Sequence, residues 1–277
     1  MKKFTKFMSL LLAGTMLLGA VGCGDAAVTD SDSEATTADA AVEGGADSAS
    51  VNTVQEGKLI WGTNAAFEPY EYMEGDTVVG IDAEIADAIA KKLGVEAQVE
   101  NMDFDAIIPA VTSGKVDIGI AGMTVSEERL KNVNFSDTYV EAGQAIIVKE
   151  GSDIKSAADL NGKIVGVQRG TTGDEYVSDE ANGVSVASVE RYANGPDAAQ
   201  SLLAGKIDAV VIDNEPAKKI VDNATGLVKL EENLTSEQYA IAVPKENTEL
   251  LDAINGALKE MQESGELQAI LDKYLNK

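Results

Sequence analysis

Arg129 stands where a helix disfavours a cation. The run from Ile118 to Arg129 reads as a buried strand, a tight turn at Gly122 and a helix capped by Ser126, with Arg129 at its third position. A helix start already carries partial positive charge, so a cation there needs something negative to join it. Free backbone N–H groups, the Thr124 hydroxyl and a guanidinium fork make an anion receptor suited to a carboxylate. The competing reading is a surface ion pair between Arg129 and a neighbouring Glu. Asp213 ends an apolar run, Val210-Val-Ile212, and a buried aspartate needs a cation or several donors. Asn64 offers a polar contact, while Phe67, Tyr70 and Phe104 offer aromatic walls. Phe67 is equally readable as a core residue, and Phe104 as a helix staple. An arginine and an aspartate facing each other across a cleft match the two charges of a free amino acid.

What the chain lacks constrains it further. It has no histidine and one cysteine, Cys23, which removes the commonest general base, the Ser-His-Asp triad and nearly all zinc sites. Catalysis would have to run on carboxylates or lysine. With 47 acidic against 22 basic residues and a net charge of −25, nucleic acid is an unfavourable partner, and so is an anionic lipid surface approached by charge alone.

The elements that must position these residues alternate between strand and helix, the pattern of an α/β protein. Strands are expected at 58–61, 95–100, 116–120, 163–167, 185–189 and 207–212. Helices are expected at 80–93, where Ile81, Ile85, Ile89 and Leu93 step by four, and at 104–113, from Gly173, and at 196–203. An internal echo links two halves: Ser113-Gly-Lys-Val-Asp-Ile-Gly-Ile120 and Ala204-Gly-Lys-Ile-Asp-Ala-Val-Val211. Five residues past each aspartate lie Gly122 and Asp213, just beyond strand ends, where open α/β sheets bind ligands. Gly-Lys-x-Asp turns are common enough that coincidence also fits.

The N-terminus reads as an export signal: Lys2, Lys3 and Lys6, an apolar run from Met8 to Leu18, then small residues before Cys23. Cys23 resembles the lipidation cysteine of bacterial lipoproteins, although Ala20 stands where that family usually has Leu. That implies cleavage after residue 22 and an acyl anchor at Cys23. Gly24 to Glu56 has no basic residue and no aromatic, and is read as a solvated tether. Its Asp-Ser-Asp-Ser-Glu patch lacks the spacing of a calcium loop.

Taken together, Asn64-Ala-Ala-Phe-Glu-Pro-Tyr, Gly122-Met-Thr, Ser126-Glu-Glu-Arg129, Phe135-Ser-Asp-Thr-Tyr139, Gly170-Thr-Thr and Asp213 resemble the polar amino-acid binding lipoproteins. These are solute receptors of ABC importers among the bacterial extracellular solute-binding proteins of family 3. The resemblance covers about 58–275 and implies a periplasmic-binding-protein-like α/β fold, two lobes with a ligand cleft between them, joined by two hinge strands. Lobe 1 would comprise 57–144 plus 240–277, lobe 2 145–239, preceded by the signal (1–22) and the lipidated tether (23–56). The crossings are expected near 143–147 and 238–241. By resemblance, Arg129 takes the ligand α-carboxylate with the backbone at Gly122 and Thr124 and with Thr172; Asp213 takes the α-ammonium; Phe67 and Phe104 sandwich the side chain; Gln168 lines its distal end, and Asn64 stands where members taking basic or amide side chains often have aspartate.

The implied partners are a free amino acid, an ABC permease and a membrane reached through the lipid anchor, with the protein a monomer on the extracytoplasmic face of the cell membrane. No cofactor or metal is implied. Asn64, Gln168 and the two phenylalanines point to a polar side chain, glutamine ahead of arginine, lysine, histidine or cystine. Two alternatives stay open: a dehydratase-like enzyme on the same scaffold acting on a cyclic acid, with Glu68 or Glu71 as its general acid, or a ligand-sensing receptor for a signalling partner. A phosphate loop at Gly170-Thr-Thr-Gly173 lacks the Walker lysine.

Overall fold

The computed structural model describes residues 51–276, which all fall in one unit spanning Asp47–Lys277. The expected signal, Cys23 and the tether up to residue 50 lie outside the described residues. The chain runs through β1 (Lys58–Thr63), a small meander of β2 (Ala66–Phe67), β3 (Glu71–Glu74) and β4 (Thr77–Val79), α1 (Ile81–Leu93), β5 (Glu96–Asn101), α2 (Phe104–Thr112), β6 (Ile118–Gly119), the single-turn α3 (Glu127–Leu130) and β7 (Val133–Phe135). After β8 (Val140–Ala142) come β9 (Gln144–Lys149), β10 (Ile164–Gln168), α4 (Thr172–Ser178), β11 (Ser188–Tyr192), α5 (Gly195–Leu203), β12 (Ala209–Asp213), α6 (Asn214–Asp222) and β13 (Leu227–Lys229). Next is β14 (Glu237–Tyr239), followed by β15 (Ala242–Pro244) and the helices α7 (Thr248–Ser264) and α8 (Glu266–Leu275).

Two five-stranded sheets share one plan. The first has the order β5-β1-β6-β15-β7 and the second β11-β10-β12-β9-β13. In each, three parallel strands are followed by an antiparallel pair. A two-stranded ribbon, β8 against β14, connects them: β8 leads into β9 of the second sheet, and β14 leads into β15 of the first. Residues 143–147, where the first crossing was expected, lie largely in β9, just past this ribbon.

The sequence echo is structural. Asp117 and Asp208 follow glycines with φ of 69° and 70°, Gly114 and Gly205. Each carboxylate accepts an N–H from the neighbouring parallel strand, Asp117 from Ile60 at 2.7 Å and Asp208 from Ile164 at 2.8 Å. A backbone bond returns from each aspartate N–H to the same residue. The motif therefore fixes register between the first and third strands of each half, and both ligand-facing strand ends follow from it.

Period-four burial drives α1: Ile81, Ile85 and Ile89 are all fully buried. Acids in its first turn, lysines in its last and left-handed Gly94 at its end suit the helix polarity. Two expected strands differ. The 116–120 run shortens to Ile118–Gly119, where the Asp117 carboxylate is engaged by the Val54 and Ile60 N–H groups. The 185–189 run moves to Ser188–Tyr192, because Ser185 is bonded to the Asn161–Gly162 turn. Separate apolar clusters pack around Ile107, Val111 and Val116 and around Ile146, Val165 and Val211.

Candidate functional site

Loops at the carboxyl ends of both sheets' strands meet. From the first sheet come Asn64 after β1, Phe104 at the start of α2, and Gly122, Thr124 and Arg129 after β6. From the second come Gln168 at the end of β10, Thr172 at the start of α4 and Asp213 at the end of β12. Asn64, Phe67, Phe104, Thr124, Arg129, Gln168 and Asp213 are all at most 9 % exposed.

Arg129 is no surface ion-pair residue. Its guanidinium lies 5.2 Å from the Phe104 ring centroid and donates through Nη1 to the Thr124 carbonyl at 2.7 Å and through Nη2 to the Gly170 carbonyl at 3.1 Å. It thereby reaches from the first sheet's loop to the second's. Ser126 caps α3 as expected, accepting the Arg129 N–H at 3.3 Å. That helix is only four residues long, so the macrodipole contributes little and the positive pole of the site is the guanidinium itself. Burial is the main influence lowering its pKa, opposed by the charges of Glu175, Asp213 and Glu237.

Asp213 is the negative pole. It takes part in none of the ion pairs among the described residues and accepts a short hydrogen bond from the Tyr239 hydroxyl. Burial first, then the charge of Glu237, pushes its carboxyl up to about 7. A cationic group placed against it would reverse that shift.

Gly122 needs a correction. Its N–H, expected at the ligand carboxylate, donates to the buried Asp82 carboxylate at 2.7 Å. The glycine serves shape: with φ of +50°, a Cβ there would sit 2.6 Å from Phe67 Cε1. Phe67 stacks on Tyr70, with centroids 5.8 Å apart, and Tyr70 meets Tyr239 edge-on at 5.0 Å. Asn64 and Gln168 do meet: Gln168 Nε2 donates to Asn64 Oδ1 at 3.0 Å, while Asn64 Nδ2 donates to the Met102 carbonyl at 2.8 Å.

Acids close in sequence to the site residues have partners of their own. Asp103 and Asp105 bracket Arg169 at 3.4 and 2.8 Å, and Glu68 faces Lys219 at 3.6 Å. Glu71 is fully buried beside Asp82, and burial raises its pKa well above the carboxylate range. Neither Glu68 nor Glu71 is thus a free general acid in the cleft.

Sequence reading missed Asp82, Tyr139, Tyr239, Glu237 and Gln144. Tyr139 donates to Asp82 at 2.9 Å, Gln144 donates to Thr172 Oγ1 at 3.1 Å, and Glu237 collects the hydroxyls of Thr124 and Thr172. A period-two signal was available for two of them: Glu237 and Tyr239 are buried and Gln238 is exposed. The surrounding Thr-Ser-Glu-Gln masked it as a polar loop.

A model of the bacterial extracellular solute-binding proteins, family 3, matches residues 59–277. The arginine-binding extracellular protein ArtP of Bacillus subtilis is 40 % identical over 220 residues, 78 % of this chain and 86 % of that protein. A solved ancestral arginine-binding protein bound to arginine is 48 % identical with a TM-score of 0.75, covering 79 % of this chain and 98 % of its own. An ancestral amino-acid-binding protein described as a precursor of cyclohexadienyl dehydratase is 34 % identical with a TM-score of 0.72, over 79 % and 95 %. The protein belongs to the bacterial extracellular solute-binding proteins of family 3.

Proposed function

We propose that the protein captures a free L-amino acid between its two lobes and delivers it to an ABC importer permease. The observation that carries this reading is the pair of buried poles of opposite charge type, Arg129 and Asp213, on loops of different sheets and neither in an ion pair among the described residues. Buried ions without counter-ions are costly. A zwitterion laid between them supplies the carboxylate for the guanidinium fork and the ammonium for the aspartate.

Thr124 and Thr172 complete the carboxylate end, Gly122 shapes the wall, Phe67 and Phe104 enclose the side chain, and Asn64 with Gln168 meets its tip. The tip is polar, formed by the mutually bonded amides of Asn64 and Gln168, while Asp103 and Asp105 lie against Arg169 and Glu68 against Lys219. That favours a long hydrogen-bonding side chain. Arginine and glutamine are the first two ligands to test, both being bound by an ancestral relative at 48 % and 47 % identity.

The lobes in this reading are 57–144 plus 240–277 and 145–239. Anchoring is assigned to acyl chains on Cys23 after removal of 1–22, placing a monomer on the extracytoplasmic face of the membrane; no described helix is long and apolar enough to cross one. We assign no turnover, because Glu68 and Glu71 are occupied elsewhere. The test is a thermal-shift panel of the refolded, ligand-stripped protein against the twenty amino acids, cystine and ornithine. A ligand at 100 times its Kd adds about 2.7 kcal/mol. A large shift from one or a few L-amino acids supports the receptor; no shift from any rejects it.

A further inference from the structure

Glu237 has a place in the site that neither its sequence context nor the charge pattern announces. It sits on β14 in the ribbon that connects the two sheets, opposite Ala142 of β8, and is 9 % exposed. Its Oε2 accepts from Thr124 Oγ1 at 2.6 Å and from Thr172 Oγ1 at 2.8 Å, and Oε1 accepts from Thr235 Oγ1 at 2.6 Å. Gln144 Nε2 approaches Oε2 at 3.5 Å and holds Thr172 Oγ1 at 3.1 Å. Thr124 follows a strand of the first sheet, whereas Thr172 begins a helix packed on the second. One oxygen, borne on the connector, therefore joins the two halves through the hydroxyls flanking the carboxylate end of the cleft.

We propose that Glu237 is a positioning residue: a clasp on the connecting ribbon that draws Thr124 and Thr172 together and sets the spacing of the two loops that receive the ligand carboxylate.

The chemistry suits that task. A carboxylate oxygen accepts two hydroxyl protons at once, in short charge-assisted bonds. At least one of the two bonds must break if the halves separate, and it reforms at the same atom when they meet. Because the carboxylate belongs to the protein, the clasp acts with the cleft empty, and ligand adds to it. Glu237 also lines an open groove of about 960 Å³ together with Glu141, Glu175 and Asp179, with no lysine or arginine among its described lining residues. In the open arrangement its charge would face water at little cost, so the clasp is reversible.

The affinity half of this inference rests on the proposed function; the clasp itself does not. Hydrogen exchange is read on the ligand-free full chain over residues 122–126 and 170–175, and affinity for L-arginine and L-glutamine is measured separately. Glu237→Ala is expected to speed exchange in both segments at least fivefold and to weaken binding at least tenfold. Glu237→Gln, which keeps an acceptor oxygen but not the charge, should recover most of the protection. Unchanged exchange in the alanine variant overturns the clasp. Faster exchange with unaltered affinity overturns the positioning of the receptor loops. Should the alanine variant not fold, Thr172→Val removes one of the two bonds; it must speed exchange in the same segments, and wild-type protection there refutes the proposal. If neither amino acid binds the unaltered protein, affinity is read with the ligand found by the thermal panel; if that panel finds none, the functional reading falls, while the ligand-free exchange still judges the clasp.

Discussion

Asp82 reaches from the first turn of α1 to the Gly122 N–H, 2.7 Å away, and so ties the loop that carries Thr124 and Arg129 to the core of the first sheet. The same carboxylate accepts the Tyr139 hydroxyl at 2.9 Å. Asp82→Ala leaves both donors buried and unpaired, at about 1–3 kcal/mol each. Urea unfolding should therefore show a loss of about 2–6 kcal/mol. A variant as stable as the parent would mean that water replaces the carboxylate.

Asp82 has no ion-pair partner among the described residues. Its neighbour Glu71 has two oxygens without a donor partner, an arrangement that works when Glu71 carries a proton and donates it to Asp82. Burial pushes Asp82 up to about 6 and Glu71 well above its usual value, with the charge of Asp82 adding to the shift of Glu71. The sign follows from proton counting. Both groups bind protons more tightly folded than unfolded, so stability is greatest below the unfolded values near 4 and falls as pH rises through the folded ones. Each group contributes a slope of about 1.4 kcal/mol per pH unit in that window. Urea midpoints of the ligand-free protein should drop from pH 5 to pH 7, and Glu71→Gln should flatten the curve. A midpoint that rises over this range contradicts a protonated Glu71.

The plan of the fold was legible because it rests on local signals: the four-residue step of isoleucines in α1, and the repeated Gly-Lys-x-Asp turn that sets strand register twice. The poles at Arg129 and Asp213 were legible because each is a charge in a place that rejects charge. Asp82 and Glu237 were not. An acid in the first turn of a helix looks like ordinary dipole matching, and only the fold brings Asp82 to Gly122, forty residues on. Glu237 lies 113 residues from Thr124 and 65 from Thr172, and no spacing rule connects residues so far apart. The direction of the Gly122 N–H was likewise unreadable, since it depends on Asp82.

If Asp213 receives the ligand ammonium, as proposed, its carboxyl pushed up to about 7 should make binding proton-linked. An ammonium pairs with the ionised form, so a bound ligand lowers the pKa and releases a proton where Asp213 was protonated. Affinity should be flat above about pH 7.5 and fall below 7, by up to about tenfold per unit. Calorimetry at pH 6.5 in two buffers of different ionisation enthalpy should differ in proportion to the protons released. Asp213→Asn should abolish the linkage and cost about 2–5 kcal/mol of binding. Full affinity in that variant places the ammonium elsewhere.

Arg129 spans Thr124 and Gly170 with two separate nitrogens of one planar group. Lysine keeps the charge but concentrates it at one atom and cannot bond both carbonyls and a carboxylate in the same geometry. Arg129→Lys should retain the fold and lose about 100-fold or more in affinity, since charge-assisted bonds contribute roughly 1.5–3 kcal/mol each. Isothermal titration with the ligand found by the thermal panel decides this, and near-parental binding would reduce Arg129 to a structural link.

Arg169 tests the opposite limit. It bridges the rim to Asp103 and Asp105, but its side chain is 45 % exposed and theirs are 57 % and 40 %. Exposed pairs are worth about 0.2–1 kcal/mol, so Arg169→Ala should weaken binding by no more than about fivefold. Salt separates this from the buried poles, because the screening length falls to about 3 Å at 1 M. The penalty of Arg169→Ala should shrink toward nothing at 1 M NaCl, whereas that of Arg129→Lys should persist. If Arg169→Ala instead loses affinity as Arg129→Lys does, and keeps that loss in high salt, then Arg169 contacts the ligand directly and belongs to the cleft, not to its rim.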